Sequence, residues 1–163
     1  MVRKSFRECF LMTSQCPDCG ALLDDGYTCR DAFDQMLYWE ADFPELGIVH
    51  HLTVLAYHLQ HPWLYSVEGL AEAKRLLIAF LREGNSPQDV RRQNQMAYDS
   101  GHRTFHIKAT AESYGWYDPP VKWSMTAPDV VAAGIDNYVE SVTAWAGSIF
   151  DALEASGQLY SPS

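Results

Sequence analysis

Apolar residues recur at helical spacing in five stretches of this chain, separated by proline, glycine and short polar runs. The stretch from Gly47 to Pro62, GIVHHLTVLAYHLQHP, has an unusual polar face. At about 100° per residue, His50, His61, His58 and His51 fall between ~0° and ~100°, while Ile48, Leu59, Leu52, Ala56 and Val49 fall between ~160° and ~260°. The pattern predicts an amphipathic helix, ended by Pro62, whose polar face is built of imidazoles. A preceding helix starts at Thr28-Cys29-Arg30-Asp31, where Thr28 and Asp31 stand at capping-box spacing, and runs to about Glu40 or Asp42 with Phe33, Met36 and Leu37 apolar. Phe43-Pro44-Glu45-Leu46-Gly47 is the turn between them, because proline biases the residue before it away from helix.

A third helix follows a cap at Ser66, with Leu70, Ala73, Leu76, Leu77, Phe80 and Leu81 on one face and Gly84 as its stop. Ser86-Pro87 starts a fourth, more polar helix carrying Val90, Met96 and Ala97. Thr126 and Asp129 cap the last and longest, in which Val131, Ile135, Tyr138, Val142, Trp145 and Ile149 repeat at spacings of four and three. From Arg103 to Ala109 apolar and polar residues alternate, which predicts a short extended segment or edge strand. The aromatic run from Tyr114 to Trp123 is a loop that lies over the core, or over the histidine face as a lid. As a lid it would bring Asp118 as a polar group, while His102 and His106 read as incidental rather than as ligands. These elements give a mostly α, single-domain bundle of about five helices with an N-terminal Cys/His knuckle and one short β element. The domain spans 13–157, between a loosely ordered extension at 1–12 and a flexible tail at 158–163.

Composition narrows the function. The 163 residues carry a net charge of −9, with 21 acidic against 12 basic side chains, and the basic residues are scattered. That argues against a phosphate-backbone partner, so no nucleic acid is expected. No stretch approaches the ~18 apolar residues of a membrane span, and the N-terminus lacks the apolar core of a signal peptide. A soluble, cytoplasmic protein is the expectation, and in a reducing compartment clustered cysteines read as metal ligands or redox thiols rather than disulfides.

Cys16-Pro17-Asp18-Cys19-Gly20 supplies two thiols two residues apart on a turn tightened by proline and glycine, the form of a metal knuckle. A third ligand is Cys29, in a first helical turn where the helix dipole favours thiolate. Folding the two helices as a hairpin about positions 44 to 45 brings Cys29 level with His61, and Glu40 level with His50 and His51. Since His50 and His61 stand ~16 Å apart along the axis, they belong to two constellations. The first is Cys16, Cys19 and Cys29 with His61, or with His58 in its place, holding one Zn²⁺. The second is Glu40 with His50 and His51, a catalytic cluster or a further metal site for zinc or iron.

The combination of CPDCG, a lone cysteine, HHLTVLAYHLQHP, WSMTAPDV and WAGSIFDAL resembles an uncharacterised bacterial family of small proteins, a domain of unknown function. The resemblance runs from about Cys16 to Leu153. It implies a metal-binding helical protein with Cys16, Cys19, Cys29 and the histidines of HHLTV and LQHP as its functional set, and it implies no reaction. Three functions follow as expectations. One is a small metal-dependent enzyme acting on a small molecule through Glu40, His50 and His51. Another is a non-enzymatic, zinc-stapled interaction module. The third is a thiol redox or metal-sensing protein using Cys16 and Cys19.

Overall fold

A computed structural model describes residues 13–99 and 106–160. Among these, six α-helices, three short 3₁₀ segments and one two-stranded sheet follow in the order β1 (Ser14–Gln15), β2 (Leu22–Leu23), α1 (Cys29–Asp42), α2 (His50–Gln60), α3 (Val67–Leu81), α4 (Pro87–Asp99), α5 (Ala127–Ala133) and α6 (Tyr138–Ala155). The mostly α expectation holds.

Local chemistry sets the helix starts. Thr28 accepts from the backbone N–H of Asp31 while Asp31 accepts from that of Thr28, closing the capping box of α1. Ser86 and Asp89 do the same for α4, and Ser66 caps α3 by accepting from Gly69 N–H at 2.9 Å. The sequence predicts one helix from Thr126 to the end, and the structure divides it. Gly134 takes φ +81°, the left-handed region that glycine adopts without a Cβ clash, and a 3₁₀ turn at Ile135–Asn137 follows before α6 begins. The periodic stripe continues across this break, but α5 buries Ala127 and Val130 while Val131 and Ile135 are only partly covered, and the stripe itself is fully buried from Tyr138 onward.

Helix α2 is the hub. It packs against α6, α3 and α1, and α5 closes over α1 and α6. Met36, Leu59, Leu70, Leu77, Trp145, Ile149 and Leu153 form the fully buried centre. The buried amide of Gln60 ties this centre to its lid, since Gln60 Nε2 donates to the Met125 carbonyl at 2.7 Å and Gln60 Oε1 accepts from Trp145 Nε1 at 3.2 Å. Both polar atoms of the Gln60 amide thus keep a partner, as burial requires.

The two strands pair Ser14 with Leu23 and Gln15 with Leu22 around the cysteine knuckle. The extended segment expected at 103–109 falls partly outside the described residues. Its described part is held by an isolated antiparallel bridge between Lys108 and Tyr65. The aromatic loop lies against the core, where Tyr117 donates to the Leu59 carbonyl and Val121 is buried, while Tyr114 and Trp116 stay exposed. Gln158 and Leu159, assigned by the sequence to a flexible tail, are buried. Lys74 Nζ donates to the Gln158 carbonyl and Gln158 Nε2 to the Pro119 carbonyl. The apolar Leu159 completes the core beside Leu153, which periodicity ending at Gly157 does not register.

Candidate metal centre

Four side chains from three parts of the chain converge beside the sheet. Cys16 and Cys19 sit on the knuckle, Cys29 on the first residue of α1, and His61 on the residue that ends α2. Their Sγ and imidazole nitrogen atoms all lie within 4.8 Å of one another, and all four residues are buried. Cys19 and Cys29 Sγ are 3.4 Å apart, and Cys16 Sγ is 3.7 Å from His61 Nε2. Tetrahedral coordination with bonds of ~2.3 Å to sulfur and ~2.0 Å to nitrogen places ligand atoms ~3.5–3.8 Å apart, so the cluster has the dimensions of a four-coordinate site.

Backbone geometry makes the knuckle. Gly20 N–H donates to the Cys16 carbonyl, Cys16 N–H donates to the Ala21 carbonyl, and Gly20 at φ +75° completes the reversal. The turn directs the N–H groups of Asp18 and Cys19 at Cys16 Sγ, and that of Ala21 at Cys19 Sγ. Such donors stabilise sulfur in its anionic, ligating form. Trp63 Nε1 donates to Asp18 Oδ2 at 3.0 Å, pinning the knuckle to the turn after α2.

His61 is oriented before any ion arrives. Its Nδ1 donates to the Tyr57 carbonyl at 2.7 Å, one helical turn back, which leaves Nε2 facing the sulfurs. The Tyr57 ring packs on the imidazole at 4.3 Å between centroids and is itself stacked on Phe33. Burial alone would lower the His61 pKa, but the hydrogen bonds to Cys19 and to the Tyr57 carbonyl outweigh it and raise it.

The sulfurs compete for charge. The Cys29 S–H, donating to Cys19, leads the forces that hold the Cys19 pKa low against burial. The same bond, with burial and the charges on Cys19 and Cys16, pushes the Cys29 pKa up. Burial pushes Cys16 up as well. The expected helix-dipole preference for a Cys29 thiolate is therefore overridden: a contribution of ~0.3–1 kcal/mol is smaller than like-charge repulsion at this range. Three thiolates can coexist here only beside a cation, which is what a divalent metal supplies.

The histidine face divides as the hairpin register requires. His58, the alternative ligand, is outside the sulfur group and packs edge-on against Tyr65, with burial lowering its pKa. At the far end Glu40 is buried and takes three donors. Tyr138 Oη donates to Oε1 at 2.6 Å, Thr53 Oγ1 to Oε1 at 2.9 Å, and His50 Nδ1 lies 2.5 Å from Oε2. The His50 ring is more than half exposed. His51 does not join them, because its ring turns towards α3 and packs edge-on against Phe80 at 4.6 Å. Burial, followed by the neighbouring His50, lowers the His51 pKa. Among the described residues, the Cys16, Cys19, Cys29 and His61 group is the one set of three or more such ligands with metal-binding spacing. The Glu40, His50 and His51 end does not form a second one.

Of the other histidines, His102 lies outside the described residues and His106 is exposed, as is Asp118. Sequence reading misses Tyr138 and Thr53 as partners of Glu40. Tyr138 does carry a signal, since a tyrosine on a core stripe needs a partner for its hydroxyl. Burial and then the bond to Glu40 raise its pKa, so it stays a donor.

No helix among the described residues is long and apolar enough to cross a membrane. Comparison with curated proteins and with solved structures finds no significant match. Residues 14–154 match the model of a family of unknown function (DUF5946). That match takes in the knuckle, both hairpin helices and nearly all of α6, and the chain belongs to this family.

Proposed function

We propose that this chain is a zinc-binding helical domain in which Cys16, Cys19, Cys29 and His61 hold one Zn²⁺ as a closed structural site. The supporting observation is the convergence of four buried donors within 4.8 Å, with the imidazole already fixed by Tyr57. Three thiolates and one neutral imidazole are a donor set that suits zinc, and four protein ligands leave no open position for a substrate. When bound, the ion offsets the repulsion among the sulfurs and contributes folding free energy of roughly 10–16 kcal/mol, as in small zinc domains. The chain's own residues do the rest. Asp18 and Trp63 hold the knuckle to the bundle, the Thr28 capping box sets the Cys29 end of α1, and Tyr57 sets the imidazole.

Elemental analysis of the protein purified without added metal tests this reading. About one zinc per chain is expected, with the metal lost from both Cys19→Ser and His61→Ala. Full metal content in both variants sinks it, and a metal-free protein with reactive thiols turns attention to redox chemistry.

The Glu40–His50 pair supports a second reading, a small enzyme acting by general-base catalysis. Its observation is the half-exposed imidazole whose Nδ1 is held by a buried carboxylate, an arrangement that directs Nε2 outward as a base. In this reading Glu40 is a positioning residue and His50 the base, with His51 no longer part of the set. Hydrolysis of p-nitrophenyl acetate, absent from a correctly folded His50→Ala, is the expected result. An unchanged rate in that variant removes the reading.

A further inference from the structure

A cavity of about 870 Å³ opens between the start of α1, the end of α2 and the loop that follows Ile107. Its size falls in the range of small-molecule pockets, roughly 300–1,000 Å³. Arg30, His58, Trp63, Tyr65, Lys108 and Tyr114 supply its chemistry. In a chain with 21 acidic side chains against 12 basic ones, the described lining carries two cations and no carboxylate. The lining is thus basic in an acidic molecule, with Arg30 sharing its charge with Asp34 just outside it.

The cations come from separate elements, Arg30 held through its side chain and Lys108 through its backbone. Arg30 Nε is bonded to Asp34 at 2.8 Å, a contact that engages one of five guanidinium N–H donors. Lys108 is fixed through its backbone, bridged to Tyr65 and flanked by hydrogen bonds from Ser66 N–H to the Ile107 carbonyl and from Ala109 N–H to the Leu64 carbonyl. The loop can come this close because residue 69 is glycine, since a Cβ there would stand 2.3 Å from the Ile107 carbonyl oxygen. The backbone of this wall is therefore preformed, which lowers the ordering cost of binding.

The rings have a similar logic. Trp63 and Tyr114 are 52% and 48% exposed, large flat apolar surfaces left beside the two cations. Tyr65 keeps its proton, because burial pushes its pKa up to about 12, and so its hydroxyl can donate. Rings flanked by cationic donors recognise a planar body that carries a negative group.

We propose that this cavity binds an organic anion with a flat ring, an aryl or heteroaryl carboxylate or phosphate. The charged group meets Arg30 and Lys108 and the ring lies against Trp63 and Tyr114. This site is distinct from the sulfur cluster and does not depend on which metal fills it.

Calorimetric titration of the intact, metal-replete protein with phenyl phosphate, benzoate and benzyl alcohol tests the proposal. Saturable binding of at least one anion is expected, with no saturable binding of the neutral alcohol. Whichever anion binds more tightly assigns the charged group as phosphate or carboxylate. The double variant Arg30→Ala/Lys108→Ala should weaken that binding by ~10-fold or more, since two charge-assisted contacts are lost. Its metal content and melting temperature, measured alongside, show that it has kept its fold. As a second variant, Tyr114→Ala leaves both cations in place and should also weaken binding. No saturable binding of either anion, equal binding of the alcohol, or full affinity in a folded double variant would each overturn the proposal.

Discussion

The Nδ1 of His61 lies 2.7 Å from the carbonyl oxygen of Tyr57. This bond joins the last turn of α2 to the metal centre, because it fixes which nitrogen faces the three sulfurs. Removing the metal should therefore be felt in the fold. Chelator treatment is expected to lower the melting temperature and to make Cys16, Cys19 and Cys29 reactive, each being less than a tenth exposed. A thiol-reagent time course with and without chelator checks this. Equal reactivity in both samples would count against a metal on those sulfurs.

Glu40 and Tyr138 should behave as one unit. Tyr138→Phe removes one of three donors to a buried carboxylate and is expected to cost ~1–2 kcal/mol, while Glu40→Ala leaves Tyr138 and Thr53 only each other and the Val49 carbonyl and should cost ~2–4 kcal/mol. Urea unfolding of both single variants and the double variant measures the coupling. A shortfall from additivity of ~1 kcal/mol or more is expected for groups in direct contact, and strict additivity would show that the bond contributes nothing of its own.

Two glycines are predicted to respond in opposite directions. Gly69→Ala would drive a Cβ into the Ile107 carbonyl and push the loop off α3. It should destabilise by at least ~2 kcal/mol, in the range of backbone clashes and overpacking. In Gly147→Ala, a Cβ within α6 meets no heavy atom within 4 Å beyond its own helix, so the better helix former should stabilise by ~0.5–1 kcal/mol. Thermal denaturation of the pair suffices, and equal shifts would contradict the packing of the loop against α3.

Acid should act through His51. Its native pKa is lowered by burial and by His50, so the unfolded chain takes up the proton first as pH falls. The contribution to stability is intact above the unfolded imidazole's ~6.5 and is lost as the pH drops from there through the lowered native value. His51→Gln should shrink the fall in melting temperature between about pH 7.5 and about pH 5.5, the interval that brackets this titration. An unchanged fall would show that the Phe80 contact leaves the ring freely protonated.

The sequence carried the metal centre well for a physical reason. Cys16, Cys19 and Cys29 are close in the chain, and the turn at Pro44 sets the hairpin register that returns His61 to them and His50 to Glu40. What it could not carry depends on rotation about a helix axis or on contacts made across the whole chain. His50 and His51 are adjacent, and only the position of Phe80 decides that one faces Glu40 and the other α3. The stripe from Val131 to Ile149 reads as one helix because its period survives the break at Gly134. The burial of Leu159 and the cavity beside Lys108 arise from distant segments meeting, which leaves no local pattern to read.

The bond between Glu40 and Tyr138 spans 98 positions, and this separation becomes a delay during synthesis. As the chain is synthesised, the four donors of the sulfur cluster have all been made by position 61, before any of α3. The Glu40 carboxylate, made in between, can take Thr53 and His50 from the hairpin but waits for α6 to bring its third donor. The fold is thus fastened twice, first by a clasp near the beginning of the chain and last by a bolt near its end. A nascent chain interrupted between the two contains all four donors of the cluster but leaves open the groove that α6 fills.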